Sequence, residues 1–140
     1  MGGGELHTVL LVEDDPEVRE VLGDVLTGRG LFVLSAEDGR HGLAQLQECG
    51  RPDMILLDLL LPDMDGGQFL VAMRAMPGFA DVPVVVLTGA RGLERKLLPV
   101  DTVGAWLTKP VRLDDLLRAM TSVHQKARAG RARPLHGLGS

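Results

Sequence analysis

Asp58 closes an unbroken apolar stretch, Met54-Ile55-Leu56-Leu57, and is followed by Leu59-Leu60-Leu61 before the chain turns at Pro62-Asp63-Met64-Asp65-Gly66. Packing gives no reason for an acid there. A carboxylate among apolar neighbours costs several kcal/mol unless something compensates it. Other residues of chemical interest end apolar runs of their own. Glu13, Asp14 and Asp15 follow Thr8–Val12, Thr88 follows Val84–Leu87, and Lys109 follows Ala105–Thr108. Carboxylates that meet repel one another, and without a partner at least one stays protonated. A hard divalent cation and a lysine resolve that conflict, and carboxylate oxygens with retained water suit Mg²⁺, or Mn²⁺ in its place. A cation can bridge a carboxylate and a phosphoryl group. Lysine brings a point charge to a phosphoryl oxygen, and a threonine hydroxyl can donate to another. Gly89 leaves a backbone N–H unobstructed beside Thr88. These residue types fit a phosphoryl group carried on Asp58, provided the fold brings them together.

The elements that must do so alternate regularly. Thr8–Val12 reads as a strand buried on both faces. Pro16 suits the first position of a helix, whose apolar face is Val18, Val21, Leu22, Val25 and Leu26, stopped by Gly28 and Gly30. Leu31–Leu34 is a second strand. Asp38 or Gly39 opens a second helix carrying Leu43 and Leu46, which ends at Gly50-Arg51-Pro52. Met54–Asp58 is the third strand. Phe69, Leu70, Met73 and Met76 mark a third helix closed by Pro77-Gly78. Val84–Leu87 is the fourth strand, Arg91–Leu98 a short helix that Pro99 cannot continue, Ala105–Thr108 the fifth strand, and Leu113, Leu116, Leu117, Met120 and Val123 the fifth helix.

Five strand–helix units predict an α/β fold: a doubly wound, five-stranded parallel sheet of flavodoxin-like order 2-1-3-4-5. Its functional crevice lies at the carboxyl ends of the strands, where the order reverses. Asp14 and Asp15 end strand one, Asp58 strand three, Thr88 strand four and Lys109 strand five, so the sheet itself makes them neighbours.

Composition sets the bounds. A chain of 140 residues, 45% apolar and 24% charged, is long enough for one domain with a real core. The formal charge of −4 argues against a body that binds DNA directly. Cys49 is the sole cysteine, so an intrachain disulfide is impossible. It is read as a packing residue. No apolar run approaches the roughly 18 residues of a membrane span. The chain is therefore read as cytoplasmic, with residues 1–6 a flexible N-terminus, 7–127 the domain, and 128–140 a basic, disordered tail or the start of a linker. His7, His41, His124 and His136 have no ligand spacing and are read as solvated, and Asp63 and Asp65 as turn residues.

Four motifs in order, Val12-Glu13-Asp14-Asp15-Pro16, Asp58 with Pro62-Asp63-Met64-Asp65-Gly66, Leu87-Thr88-Gly89 and Lys109-Pro110, resemble the response-regulator receiver domain of two-component signalling. The resemblance spans roughly Thr8 to Ala127. It implies that Asp58 accepts a phosphoryl group from a histidine kinase or phosphotransfer protein. It implies that Asp15 binds Mg²⁺ directly, Asp14 directly or through water, and Leu60 through its backbone carbonyl. Lys109 and Thr88 would hold phosphoryl oxygens, and the Lys109–Pro110 bond would be cis. Such a domain is a switch rather than an enzyme, assisting only its own phosphorylation and dephosphorylation. Its partners would be the kinase and a downstream protein or output domain, with a homodimer as a further partnership.

The sequence departs from the family at Trp106, where Tyr or Phe is usual. That aromatic and Thr88 are the expected moving parts of a surface built by the fourth helix, fifth strand and fifth helix. Pro99 falls on the same surface. Leu60 and Ala90 flank the expected route of hydrolytic water and offer nothing to orient it, which predicts a long-lived acyl phosphate. A phosphohydrolase with an aspartate nucleophile would need a second acid where Leu60 stands and a substrate cap. A scaffold that only binds partners would not need Asp14, Asp15, Asp58 and Lys109 together.

Overall fold

The computed structural model describes residues 5–89 and 103–131. In chain order the elements are β1 (Thr8–Val12), α1 (Pro16–Gly28), β2 (Phe32–Ala36), α2 (Gly39–Cys49), β3 (Met54–Asp58), α3 (Gly66–Arg74), β4 (Val84–Thr88), β5 (Ala105–Thr108) and α4 (Leu113–Arg131). The strands form one sheet in the order β2-β1-β3-β4-β5, with every neighbouring pair parallel. This is the expected topology. The expected helix at Arg91–Leu98 and Pro99 lie outside the described residues. The expected fifth helix is α4 here.

Alternation along the strands explains the two packed faces. Leu10, Val12, Ile55, Leu57, Val84 and Val86 point into one core cluster, together with Phe69, Leu70 and Met73 of α3. Val9, Leu11, Met54, Leu56, Val85 and Leu87 point into the other, against Leu22 and Leu26 of α1 and Leu116, Met120 and Val123 of α4. β3 and β4 are buried along their whole length. A strand covered on both faces cannot alternate polar and apolar residues, which is why both read as continuous apolar runs.

Several boundaries differ from the sequence reading. β2 starts and ends later than Leu31–Leu34, because its register pairs Thr8 with Phe32 and Val12 with Ala36, carrying Ser35 and Ala36 into the ladder. α3 stops at Arg74, before Met76. α4 continues past Ala127 to Arg131. Val21, expected on the buried face of α1, is 56% exposed. His124, read as solvated, is buried on α4. Cys49, read as packed, is exposed at the end of α2, with Sγ 3.8 Å from Gln45 Oε1.

Candidate functional site

The site forms where β1 and β3 end. Asp58 is the last residue of β3 and is buried. Its register partner on β4 is Leu87, so Thr88 follows one residue further along the same edge. Thr88 is buried and pairs across to Thr108 on β5. The Lys109 N–H donates to the Thr88 carbonyl at 2.7 Å, extending the ladder beyond the strand and setting the lysine at the site. The Lys109–Pro110 peptide bond is cis. Lys109 Nζ lies 2.8 Å from Glu13 Oε1 and 3.3 Å from Asp58 Oδ2.

The acids after β1 separate into different tasks. The Glu13 N–H donates to the Ala36 carbonyl at 3.0 Å, which carries the β-ladder one residue past Val12 and leaves the Glu13 side chain fully buried. Carboxylate oxygens of Glu13, Asp14 and Asp58 lie within 4.8 Å of one another. Asp15, expected as a direct cation ligand, faces elsewhere. Its carboxylate caps α1, accepting from the Glu17 N–H at 2.9 Å and the Val18 N–H at 3.4 Å. Pro16 at the first helical position leaves the residue before it as the cap, and capping occupies the carboxylate that was assigned to the cation. Glu13, rather than Asp15, joins Asp14 and Asp58 in the carboxylate cluster. The turn is braced by Arg19, which donates to the Glu13 carbonyl at 2.7 Å and the Asp14 carbonyl at 3.4 Å. Arg19 shows in the sequence only as a polar residue of α1, since its partners are backbone atoms.

The segment after Asp58 is equally ordered. The Leu60 N–H donates to Asp58 Oδ1 at 3.2 Å, and Leu60 bridges antiparallel to Asp65. The Leu60 side chain is 56% exposed beside the acceptor. Asp65 caps α3 in a reciprocal box with Gln68. Asp63 is more than a turn residue: it accepts from the Gly39 N–H at 2.9 Å and the Arg40 N–H at 2.8 Å, both at the start of α2. Trp106 is partly buried against the first core cluster. Ala90 lies outside the described residues.

Electrostatics follow from burial and crowding. Burial lifts the Asp58 carboxyl from 3.8 to about 7, and the Glu13 charge adds to it, while Lys109 and the Leu60 N–H pull back without winning. Burial works to lower the Lys109 ammonium. The hydrogen bond to Glu13 and the charges of Asp58 and Glu13 outweigh it, so Lys109 sits above its ordinary value. The group is thus acid-rich, built of hard oxygen donors, and contains one buried carboxyl that resists ionisation by itself. That donor set fits a hard divalent cation such as Mg²⁺.

Residues 9–121 match the response regulator receiver domain. The chain belongs to that family. Curated relatives include the response regulator MprA of Mycolicibacterium vanbaalenii, 35% identical over 82% of this chain and 49% of that protein. The phosphate regulon transcriptional regulatory protein PhoB of Klebsiella pneumoniae is 36% identical over 84% of this chain and 52% of its own. The chain spans about half the length of these two relatives. Among solved structures, the chemotaxis response regulator CheY4 of Vibrio cholerae superposes with a TM-score of 0.77 and 31% identity, over 85% of this chain and 99% of that one. Receiver domains are signalling modules of two-component systems that bind Mg²⁺ at an acidic pocket and work between histidine kinases and output domains. No helix among the described residues is long and apolar enough to cross a membrane.

Proposed function

We propose that this receiver domain accepts a phosphoryl group on Asp58 from a histidine kinase or phosphotransfer protein in a Mg²⁺-dependent reaction. One observation carries the reading: a buried Asp58 lies within ion-pair distance of Lys109 and beside the carboxylates of Glu13 and Asp14. Asp58, Glu13, Asp14 and the backbone carbonyl of Leu60 are the groups that would hold the cation. A cation held there would supply positive charge that offsets the carboxylates and the charge on a phosphoryl group delivered to Asp58. Asp58 must be ionised to react. A carboxylate oxygen attacks phosphorus, the new P–O bond forms as the P–N bond of the donor phosphohistidine breaks, and the imidazole leaves with its electron pair. Lys109 is already within reach of Asp58 and exchanges a carboxylate partner for a phosphoryl oxygen. The Thr88 hydroxyl donates to another.

The readout is a change in the surface that includes β5 and α4, driven by Thr88 and Trp106 and sensed by a downstream protein, an output domain or a second copy. The domain catalyses only its own modification and its reversal, and works in the cytoplasm. Acetyl phosphate with Mg²⁺ tests the chemistry on a phosphate-affinity gel. The wild type shifts, while Asp58→Asn and chelated samples do not. A shift that persists in Asp58→Asn refutes the assignment. Beryllium fluoride with Mg²⁺ tests the readout through Trp106 fluorescence, the signal of the single tryptophan. A spectrum that stays silent while the gel shifts removes Trp106 from the switch.

A further inference from the structure

The loop between Asp58 and α3 is held from two sides. On the α3 side, Asp65 caps the helix, Leu60 bridges to Asp65, and the Gly66 N–H donates to the Leu59 carbonyl at 2.9 Å. On the α2 side the hold is Asp63. Its two oxygens take the N–H groups of Gly39 and Arg40, at 2.9 and 2.8 Å. These are first-turn donors with no partner inside their own helix. The positive end of the helix dipole favours a carboxylate there. Asp38, the local cap of α2, takes a different donor, the His41 N–H at 2.8 Å. The start of α2 therefore has two carboxylate caps, and the one supplied from 23 and 24 residues away is fixed to the phosphoacceptor loop. Packing reinforces the contact. Gly39 is 24 positions before Asp63, and a Cβ on it would run into the Met64 side chain, so glycine permits the loop to lie directly on the helix start.

We propose that Asp63 is a positioning residue for the phosphoacceptor site: its clamp on α2 fixes the path of the loop and thereby the placement of Leu60 beside Asp58. The inference rests on the function proposed above and deepens it. Asp63 touches neither cation nor phosphoryl group in this account. It acts through the backbone of Leu60, whose N–H already meets Asp58 at 3.2 Å and whose carbonyl is the assigned cation ligand. With Asp63 removed, the loop keeps the Met64 packing on Gly39 but loses its hydrogen bonds to α2, and the site must order Leu60 each time it binds a cation.

The test compares wild type, Asp63→Ala, Asp63→Asn and Asp38→Ala. Calorimetric titration gives Mg²⁺ affinity, and hydrogen exchange gives protection of the Leu60 amide. Groups that orient metal ligands typically change affinity by tenfold or more, so Asp63→Ala is expected to weaken Mg²⁺ binding about tenfold and to speed Leu60 exchange. Asp63→Asn, isosteric and able to keep one acceptor oxygen, falls between and carries the test if alanine lowers stability. Asp38→Ala also loses a cap of α2 but does not touch the loop, so its Mg²⁺ affinity stays within about twofold of wild type. Equal weakening by Asp38→Ala makes Asp63 a structural cap only and overturns the proposal. So does an unchanged affinity in both Asp63 variants. A wild type that binds no Mg²⁺ overturns the proposed function itself, and this inference with it.

Discussion

Replacing Asp58 with asparagine keeps the shape of the side chain and removes one titration. In the metal-free folded protein Asp58 holds its proton to about 7, against an ordinary value of 3.8. Between those limits the folded state binds more protons than the unfolded state. Stability therefore falls as pH rises from about 4 to about 7, and is flat above that. A rise of this size corresponds to a ceiling of about 4 kcal/mol lost at alkaline pH. Asparagine escapes that loss, and because the value of about 7 already includes the 3.3 Å pair with Lys109, the variant gains up to that ceiling of about 4 kcal/mol at about pH 8. At about pH 4, close to the ordinary value, the folded carboxyl is protonated, the unfolded one is partly so, and the side chain is nearly isosteric with asparagine, so the two proteins should differ by less than about 1 kcal/mol. Urea unfolding in chelator, followed by far-ultraviolet circular dichroism across this pH range, measures the difference directly. Titrations that both proteins share cancel in the comparison. Adding Mg²⁺ at the alkaline end should raise the wild type and close the gap, since a ligand that binds only the folded state stabilises it by mass action. A stability gap that is the same at both ends of the range refutes the reasoning. So does a wild type that gains stability relative to the variant as pH rises.

Three further outcomes follow from the geometry. Asp15→Ala removes the α1 cap and should cost about 1 kcal/mol in urea unfolding while leaving Mg²⁺ affinity nearly unchanged, whereas Glu13→Gln should weaken Mg²⁺ in calorimetric titration; the reverse pattern would restore Asp15 as the ligand. Leu60→Asn should shorten the acyl-phosphate lifetime, measured as loss of the shifted band after the phosphodonor is removed, because a polar side chain there can orient water. Gly66→Ala would bring a Cβ against Leu59 Cδ2 and to 3.2 Å from Leu59 Cα, with an expected loss of about 1 to 3 kcal/mol in urea unfolding.

The topology was legible because β1, β3 and β4 are buried on both faces and cannot be mistaken for surface strands. The convergence of Asp58, Lys109 and the β1 acids followed from topology alone, since parallel strands deliver their last residues to one edge. The assignment among Glu13, Asp14 and Asp15 was less legible. The deciding signal was Pro16: a proline at the first helical position makes its predecessor the cap, and so turns Asp15 away from the site. Asp63 could not be read correctly from local sequence. A turn aspartate and a long-range helix cap look the same until α2 and the loop are docked. The ends of β2 were misplaced for a similar reason. Ser35 and Ala36 have modest strand propensity and are recruited by their register with Leu11 and Val12. His124 lies on α4 one position after buried Val123, and the apolar pattern alone gave no reason to bury a histidine beside it.

The shared position of Lys109, between Glu13 and Asp58, leaves the site in debt of positive charge. With all groups ionised, three carboxylates face one ammonium, and two negative charges go unanswered. A proton on Asp58 answers one of them and a divalent cation answers both, so the two compete for the same vacancy. The protonated acid is a poor nucleophile. In the proposed reaction, a cation that displaced the proton would also supply positive charge toward the incoming phosphoryl group. On the proposed function, arming the acceptor and preparing the place for its substrate would be a single event, and removing the cation would leave Asp58 protonated without any separate lock.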